Sequence, residues 1–173
     1  VPGPTPQAEY RVEILGPRHD RESFSCGVDA LDNYFRRQAM QDFRKRVAAV
    51  FVLTGDGKTV AGYYTLSQYS VALDSLSPET ARRLPRYPLV PATLLGRLAV
   101  SAAHRGEGLC SLLLMDALYR SLQGSHQLAS AAVVVDAKNS AAAKFYRKYG
   151  FIPLPRIPSR LFLPMATIDT LFR

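Results

Sequence analysis

The sequence predicts a mixed α/β protein in which helices flank a central sheet, and three observations carry that prediction. Apolar runs at 94–100 and 131–135 read as buried strands. They bracket a segment in which Leu109, Leu112, Leu113, Asp116, Ala117 and Arg120 follow helical spacing. Two further strand-like runs, 47–53 and 60–66, are joined by Thr54-Gly55-Asp56-Gly57-Lys58, a clear hairpin signal. The chain has 173 residues and 47% hydrophobic content, enough to bury one substantial core without disulfides or metal.

Taken in order, the Pro-rich start Val1-Pro2-Gly3-Pro4-Thr5-Pro6 is neither a signal peptide nor an amphipathic transit segment, so residues 1–8 are expected to be disordered and 9–173 to form a single domain. Residues 10–15 alternate as a short strand. Asp29 is expected to cap a helix whose apolar face is Leu31, Tyr34, Phe35, Ala39 and Phe43. After the hairpin, 72–91 reads as an irregular segment on the substrate side. In it, Ser77-Pro78-Glu79-Thr80 opens a short helix, and Pro85, Pro88 and Pro91 block regular structure. Strand 94–100, a glycine loop, the helix from Leu109, strand 131–135, a helix from near Asn139 and a last strand at 160–164 complete the layer, with no internal repeat.

Cys26 and Cys110 are read as free thiols of a reducing cytoplasm, since two cysteines without a secretory signal give little ground for a disulfide. His19, His104 and His126 lack ligand spacing, so no metal site is expected. No apolar run reaches the roughly 18 residues a membrane span requires, and no membrane association is expected.

The stretch from His104 to Ser111 sets Gly106 and Gly108 between a strand and a helix. The first N–H groups of a helix have no intrahelical acceptor and lie at the positive end of its dipole, so such a junction suits a phosphate. The candidate cradle comprises the amides of Arg105, Gly106, Glu107, Gly108, Leu109, Cys110 and Ser111. The Arg105 guanidinium would add charge-assisted hydrogen bonds, and the two glycines are read as steric necessities. Neither a G-x-G-x-x-G spacing nor a following Gly-Lys-Ser/Thr is present, so the dinucleotide and P-loop readings drop away. Taken alone, these residues also describe an ordinary turn into a helix.

A second motif, Asn-Ser-Ala-Ala-Ala-Lys-Phe-Tyr-Arg-Lys-Tyr-Gly-Phe, occupies residues 139–151. With the loop it resembles the GNAT family of acyl-CoA-dependent N-acetyltransferases over about residues 48–164. The family's loop pattern Gln/Arg-x-x-Gly-x-Gly/Ala is matched by Arg105, Gly108 and, imperfectly, Cys110. Its second pattern, Asn-x-x-Ala-x-x-Phe-Tyr-x-x-x-Gly-Phe, is matched by Asn139, Ala142, Phe145, Tyr146, Gly150 and Phe151. The resemblance implies the GNAT fold, a mixed but mostly antiparallel central sheet with helices on both faces. It also implies acetyl-CoA as acyl donor with no metal, backbone contacts from Leu98, Ala99 and Val100 to the pantetheine, and Asn139 at the cofactor. Cys110 stands where Gly or Ala is usual, and Glu107 sets a carboxylate beside a polyanion; both bear on affinity.

On a helix from near Asn139, Ala142, Phe145 and Tyr149 would share a core face, with Tyr146 rotated by about 100° from Phe145. The resemblance makes Tyr146 the catalytic acid that protonates the departing thiolate. A phenol of pKa about 10 gives its proton downhill to a thiolate of pKa about 8.5. Without the motif, Tyr146 reads as a core tyrosine beside Phe145 and Phe151. No general base stands out, because 94–100 carries only Arg97. A lysine amine needs help to lose its proton, whereas an α-amino group, at about 7.7 to 8.0, needs little, which tilts the substrate toward an already neutral amine. A base from Asp74, Glu79 or Asp136, or a relayed water, stays open.

Lys and Arg number 22 against 14 Asp and Glu, a formal charge of +8. Arg36, Arg37, Arg44, Lys45 and Arg46 cluster on and after the first helix, and Arg82, Arg83 and Arg86 form a second cluster. A solvated basic face is one reading; a polyanionic second substrate is the sharper one. The block 24–35, with 62–67, 90–100 and 161–165, further resembles one GNAT branch, the toxins of bacterial toxin-antitoxin pairs that acetylate the α-amino group of aminoacyl-tRNA. That resemblance implies translation arrest, a DNA-binding antitoxin as partner and often a homodimer. It implies Arg36 and Arg97 as tRNA contacts, with Arg37 and Arg44 joining them through the charge cluster. A GNAT enzyme acting on a small amine or a protein N-terminus, and a non-catalytic CoA-binding or partner-binding module, remain alternatives.

Overall fold

A computed structural model of the chain describes residues 9–173, so the disorder expected for 1–8 falls outside it. Seven strands form one sheet in the order β1-β2-β3-β4-β5-β7-β6. They are β1 (Arg11–Ile14), β2 (Ala49–Thr54), β3 (Gly62–Ala72), β4 (Leu89–Val100), β5 (Ala132–Asp136), β6 (Ile152–Pro153) and β7 (Arg160–Pro164). β1 runs antiparallel to β2, and β7 antiparallel to both β5 and β6, whereas β4 runs parallel to β5 with Thr93 opposite Val133. The helices are α1 (Asp29–Asn33), α2 (Ala39–Arg44), α3 (Pro78–Arg82), α4 (Leu109–Gly124), α5 (Ser140–Lys148) and α6 (Met165–Leu171). This is the mixed, mostly antiparallel, helix-flanked sheet that the sequence predicts. The chain falls into two compact units, one of residues up to Thr65 with Arg97–Leu114, the other Leu66–Gly96 with Met115–Arg173.

In the first unit, Leu15, Phe24, Phe35, Val50, Val52, Tyr63 and Ala99 belong to one buried cluster. Three ring pairs organise it, Phe24 and Phe35 each against Tyr63 and against one another, with Phe35 stacked on Tyr63 at 4.4 Å between centroids. The first helix is not continuous: α1 passes into a π-helical turn, Tyr34–Gln38, and then α2. The expected apolar face survives the interruption, with Leu31, Tyr34, Phe35 and Ala39 buried. Asp29 does not cap this helix. It is the first helical residue, the cap position belongs to Val28, and the cap makes no side-chain hydrogen bond. The buried carboxylate of Asp32 instead accepts the Cys26 N–H at 2.8 Å, tying the incoming chain to the first turn.

The expected hairpin forms between β2 and β3. The Asp56 carboxylate accepts the N–H groups of Lys58 and Thr59 at 2.8 and 2.7 Å, bonds that hold its carboxyl well below the usual range, while Thr54 Oγ1 accepts the Gly57 N–H. This side-chain closure is the mechanism by which Asp and Thr favour turns.

In the second unit, Val71, Leu76, Ala92, Ala132, Val134, Leu154 and Phe162 form the buried cluster. Ser77 caps α3 by accepting the Thr80 N–H, with Pro78 in the first turn, as the sequence predicts. Two expectations are corrected here. Pro91 does not block regular structure, because β4 begins at Leu89 and includes it. A proline is tolerated near a strand's start, and the Pro91 carbonyl still accepts the Ala131 N–H at 2.8 Å. Helix α5 has no core face: none of its residues is buried, and Phe145 and Tyr149 are only half-buried. Strand β6 and helix α6 add to the elements that the sequence predicts; a two-residue strand carries no readable periodicity, and α6 follows β7 without a break.

Candidate functional site

The glycine loop lies where the sequence places it. A short 3₁₀ turn, Ala102–His104, follows β4, and α4 starts at Leu109 after Gly106 and Gly108. Both glycines have left-handed backbone, φ +83° and +74°, yet a β-carbon at either would meet no atom within 4 Å. Within the protein itself the requirement at both positions is therefore conformational. The left-handed region costs an L-residue roughly 1–2 kcal/mol, and glycine nothing. Leu109 is buried and anchors the helix start, whereas Cys110 is exposed. The Cys110 thiol is thus kept out of the core, and Cys26, the other cysteine, is buried and also free.

Two charged side chains of the loop have partners in the first unit. Arg105 Nη2 donates to the Cys26 carbonyl at 2.8 Å, next to the left-handed Gly27, where a β-carbon would stand 2.6 Å from that nitrogen. The guanidinium thereby clamps the loop to the segment preceding α1. Glu107 accepts the Tyr10 hydroxyl at 3.3 Å. The Tyr10 phenol pKa is raised by burial and by that carboxylate. Beside the loop, Tyr10, Gly55, Asp56, Thr59, Ala61 and His104 line a cavity of about 270 Å³.

At the end of β4, Ala99 is buried while Leu98 and Val100 are half-buried. The Ala99 carbonyl passes so close to Gly62 that a β-carbon there would stand 2.8 Å away. The basic residues separate into distinct roles. Arg36 directs Nε and Nη2 at the Phe24 carbonyl, at 3.1 and 2.5 Å, and so holds the backbone together. Arg37 and Arg44 are exposed and make no hydrogen bond or ion pair among the described residues. Arg97 is half-buried with its guanidinium carbon 3.5 Å from the centre of the Tyr34 ring. The Tyr34 hydroxyl donates to Asp42 Oδ2 at 2.9 Å, and burial together with that bond pushes the phenol up to about 12. Sequence reading counted Tyr34 only as part of an apolar face. The signal that could have distinguished it is Asp42 two turns later, which can reach a buried hydroxyl on the same side.

In the second unit, Asn139 caps α5 by accepting the Ala142 N–H at 2.8 Å. Tyr146, about two turns further on, is half-buried, with edge contacts to Phe145 and Phe151 at 5.3 and 5.4 Å. Asp136, one of the alternative bases, pairs with Arg160 at 2.8 Å, while Asp74 and Glu79 are exposed. Among the described residues no group of three His, Cys, Asp or Glu could hold a metal, and no helix is long and apolar enough to cross a membrane.

A parallel pair, β4 and β5, joined through a helix opened by two left-handed glycines and set in a mostly antiparallel sheet, fits an acyltransferase of the acyl-CoA-using class. The chain belongs to the GNAT acetyltransferase family, the profile of the Acetyltransferase (GNAT) domain matching residues 46–153. A probable toxin TacT of Sinorhizobium fredii is 35% identical over 96% of this chain and 97% of its own. A tRNA-acetylating toxin of Mycobacterium tuberculosis is 36% identical over 84% of this chain and 86% of its own. Among solved structures, AtaT complexed with acetyl-methionyl-tRNAfMet superposes with a TM-score of 0.88, at 29% identity, covering 95% of this chain and all of AtaT.

Proposed function

We propose that this chain is a toxin that transfers the acetyl group of acetyl-CoA to the α-amino group of an aminoacyl-tRNA and so arrests translation. The observation that carries this reading is the near full-length similarity to a tRNA-acetylating toxin and to AtaT in complex with an acetylated tRNA. The chemistry of the chain agrees with it. Strand β4 carries no carboxylate along its twelve residues, which suits an amine that is already neutral. Arg37 and Arg44, exposed and uncommitted, suit a polyanionic substrate.

In this reading the amides from Arg105 to Ser111 hold the cofactor pyrophosphate, with Asn139 also at the cofactor, and the end of β4 offers backbone hydrogen bonds to the pantetheine from Leu98, Ala99 and Val100. A β4 amide polarises the acetyl carbonyl, the amine attacks it directly, and Tyr146 protonates the departing thiolate. Arg97, Arg37 and Arg44 meet the tRNA, with Arg36 shaping the surface they stand on. Because complexes of AtaT with the antitoxin AtaR, including one bound to DNA, are among the similar structures, we infer a DNA-binding antitoxin as partner; action in the cytoplasm and a homodimer belong to the same toxin reading.

The test is to incubate the protein with labelled acetyl-CoA and a charged tRNA pool, and separately with free amino acids, polyamines and peptides. Label is expected in the aminoacyl moiety of the tRNA, released by mild base. Label confined to small amines or peptide N-termini, with charged tRNA inert, overturns the reading.

A further inference from the structure

The half-buried guanidinium of Arg97 is unusual in what it lacks. It makes no hydrogen bond or ion pair with any described carboxylate or carbonyl, and it lies over the face of Tyr34. Asp42, the acid nearest to that ring, is committed: Oδ2 accepts the Tyr34 hydroxyl at 2.9 Å and Oδ1 accepts Gln38 Nε2 at 2.8 Å. A guanidinium carries five N–H donors in a planar fork, and a stacked partner leaves all of them free at the edges. The positive charge is thus held in place without being neutralised.

The platform beneath it is built for rigidity. Tyr34 is buried and lies nearly parallel to Tyr63, centroids 6.4 Å apart, and Tyr63 in turn stacks on Phe35 and donates its hydroxyl to the Leu31 carbonyl at 2.8 Å. Tyr34 opens the π-helical turn, Tyr34–Gln38. Such turns are rare, cost stability and mark functional positions more often than chance. Here the turn widens the helix by one residue per turn between Tyr34 and Asp42. Both the ring and its hydroxyl acceptor then serve one side, while Phe35 and Ala39 stay in the core.

We propose that Tyr34, oriented by Asp42 and by the π-helical turn, is a positioning residue that holds the Arg97 guanidinium flat and uncompensated, so that its edge receives a phosphate of the charged tRNA. The proposal rests on the tRNA-acetylating reading given above. A guanidinium immobilised in advance loses less freedom on binding and keeps its full charge for the phosphate. Tyr34 itself touches no substrate.

The test measures kcat and KM for charged tRNA, KM for acetyl-CoA, and turnover of a minimal aminoacyl ester, using the full chain. Tyr34→Leu is expected to raise KM for charged tRNA about tenfold, the scale of a partly desolvated cation–π contact. The acetyl-CoA KM and ester turnover should stay near parental values. Tyr34→Phe, which keeps the ring, should restore most of the loss. In an Arg97→Gln background Tyr34→Leu should add less than twofold. Should Tyr34→Leu fail to fold, Arg97→Lys leaves the core intact: a point charge on a flexible stem does not stack, so it should lose nearly as much as Arg97→Gln. Full rescue by lysine overturns the proposal, as do additive effects of the two substitutions. A rise in the acetyl-CoA KM instead overturns it by assigning Arg97 to the cofactor. If the parent protein itself leaves charged tRNA unacetylated, the underlying reading has failed, a result distinct from all of these.

Discussion

Gly108 offers the most direct test of the phosphate loop, because the structure separates strain from crowding there. Its φ of +74° is the left-handed region, and a β-carbon at that position would meet no atom within 4 Å. A substitution therefore cannot act by colliding with the protein; it acts through the backbone. An L-residue held left-handed costs roughly 1–2 kcal/mol, and a β-branched one lies at the upper end. If the variant loop relaxes to escape that strain, the amides from Arg105 to Ser111 turn out of register and the cofactor must pull them back on binding. At about 1.4 kcal/mol per decade, Gly108→Val should weaken acetyl-CoA binding roughly 5- to 30-fold. Gly108→Asn, whose side chain tolerates the left-handed region, should stay close to the parent. Titration calorimetry with acetyl-CoA measures the loss, and circular dichroism with a thermal melt checks the fold. Parental affinity in a folded Gly108→Val would show that the conformation of Gly108 does not serve the cofactor.

Three further predictions address the catalytic acid, the tRNA surface and the acid stability of the first unit. Tyr146→Phe should keep acetyl-CoA affinity and slow single-turnover transfer about 10²-fold or more, the scale of a lost general acid; unchanged transfer would leave Tyr146 a structural role, such as its ring contacts to Phe145 and Phe151. Reversing Arg37 and Arg44 to Glu should cripple acetylation of charged tRNA and reduce the slope of log KM against log salt by about one to two, while sparing a minimal aminoacyl ester; an unchanged slope would return these residues to a solvated face. Glu13 accepts hydrogen bonds from His19, Arg11 and Arg18, which lower its pKa from 4.5 to about 2. Its contribution is therefore fully present above about pH 4.5 and lost as pH falls toward 2. The melting-temperature gap between parent and Glu13→Gln should close over that window, and a pH-independent gap would refute the assignment.

Much of the site was legible because its residues are local in sequence. Gly106 and Gly108 sit within three positions, and Asn139, Phe145 and Tyr146 lie on one helix, so short-range patterns expose them. What escaped was long-range or conformational. The charge of Arg105 is visible in a sequence, whereas the acceptor that one of its N–H groups meets, the carbonyl of Cys26, is 79 residues away and belongs to backbone. Arg36 and Arg37 are neighbours of the same type, yet one bonds to the Phe24 carbonyl and the other is exposed with no hydrogen bond among the described residues. Helical phase alone cannot separate them once a π-helical turn intervenes. Pro91 misled for a related reason: its ring forbids one donor, not a strand, and the cost depends on whether that donor was needed.

The clamp from Arg105 to Cys26 bears on how the chain can be dissected. The family match begins at residue 46, which invites a trimmed version starting there. Such a fragment would remove β1, the edge partner of β2, along with the carbonyl that Arg105 holds and the ring under Arg97. The glycine loop would keep its residues and lose its brace. In this chain the stretch from Arg11 to Tyr34 is thus a structural part of the transferase, and boundaries drawn from shared sequence would cut through the machinery they are meant to delimit.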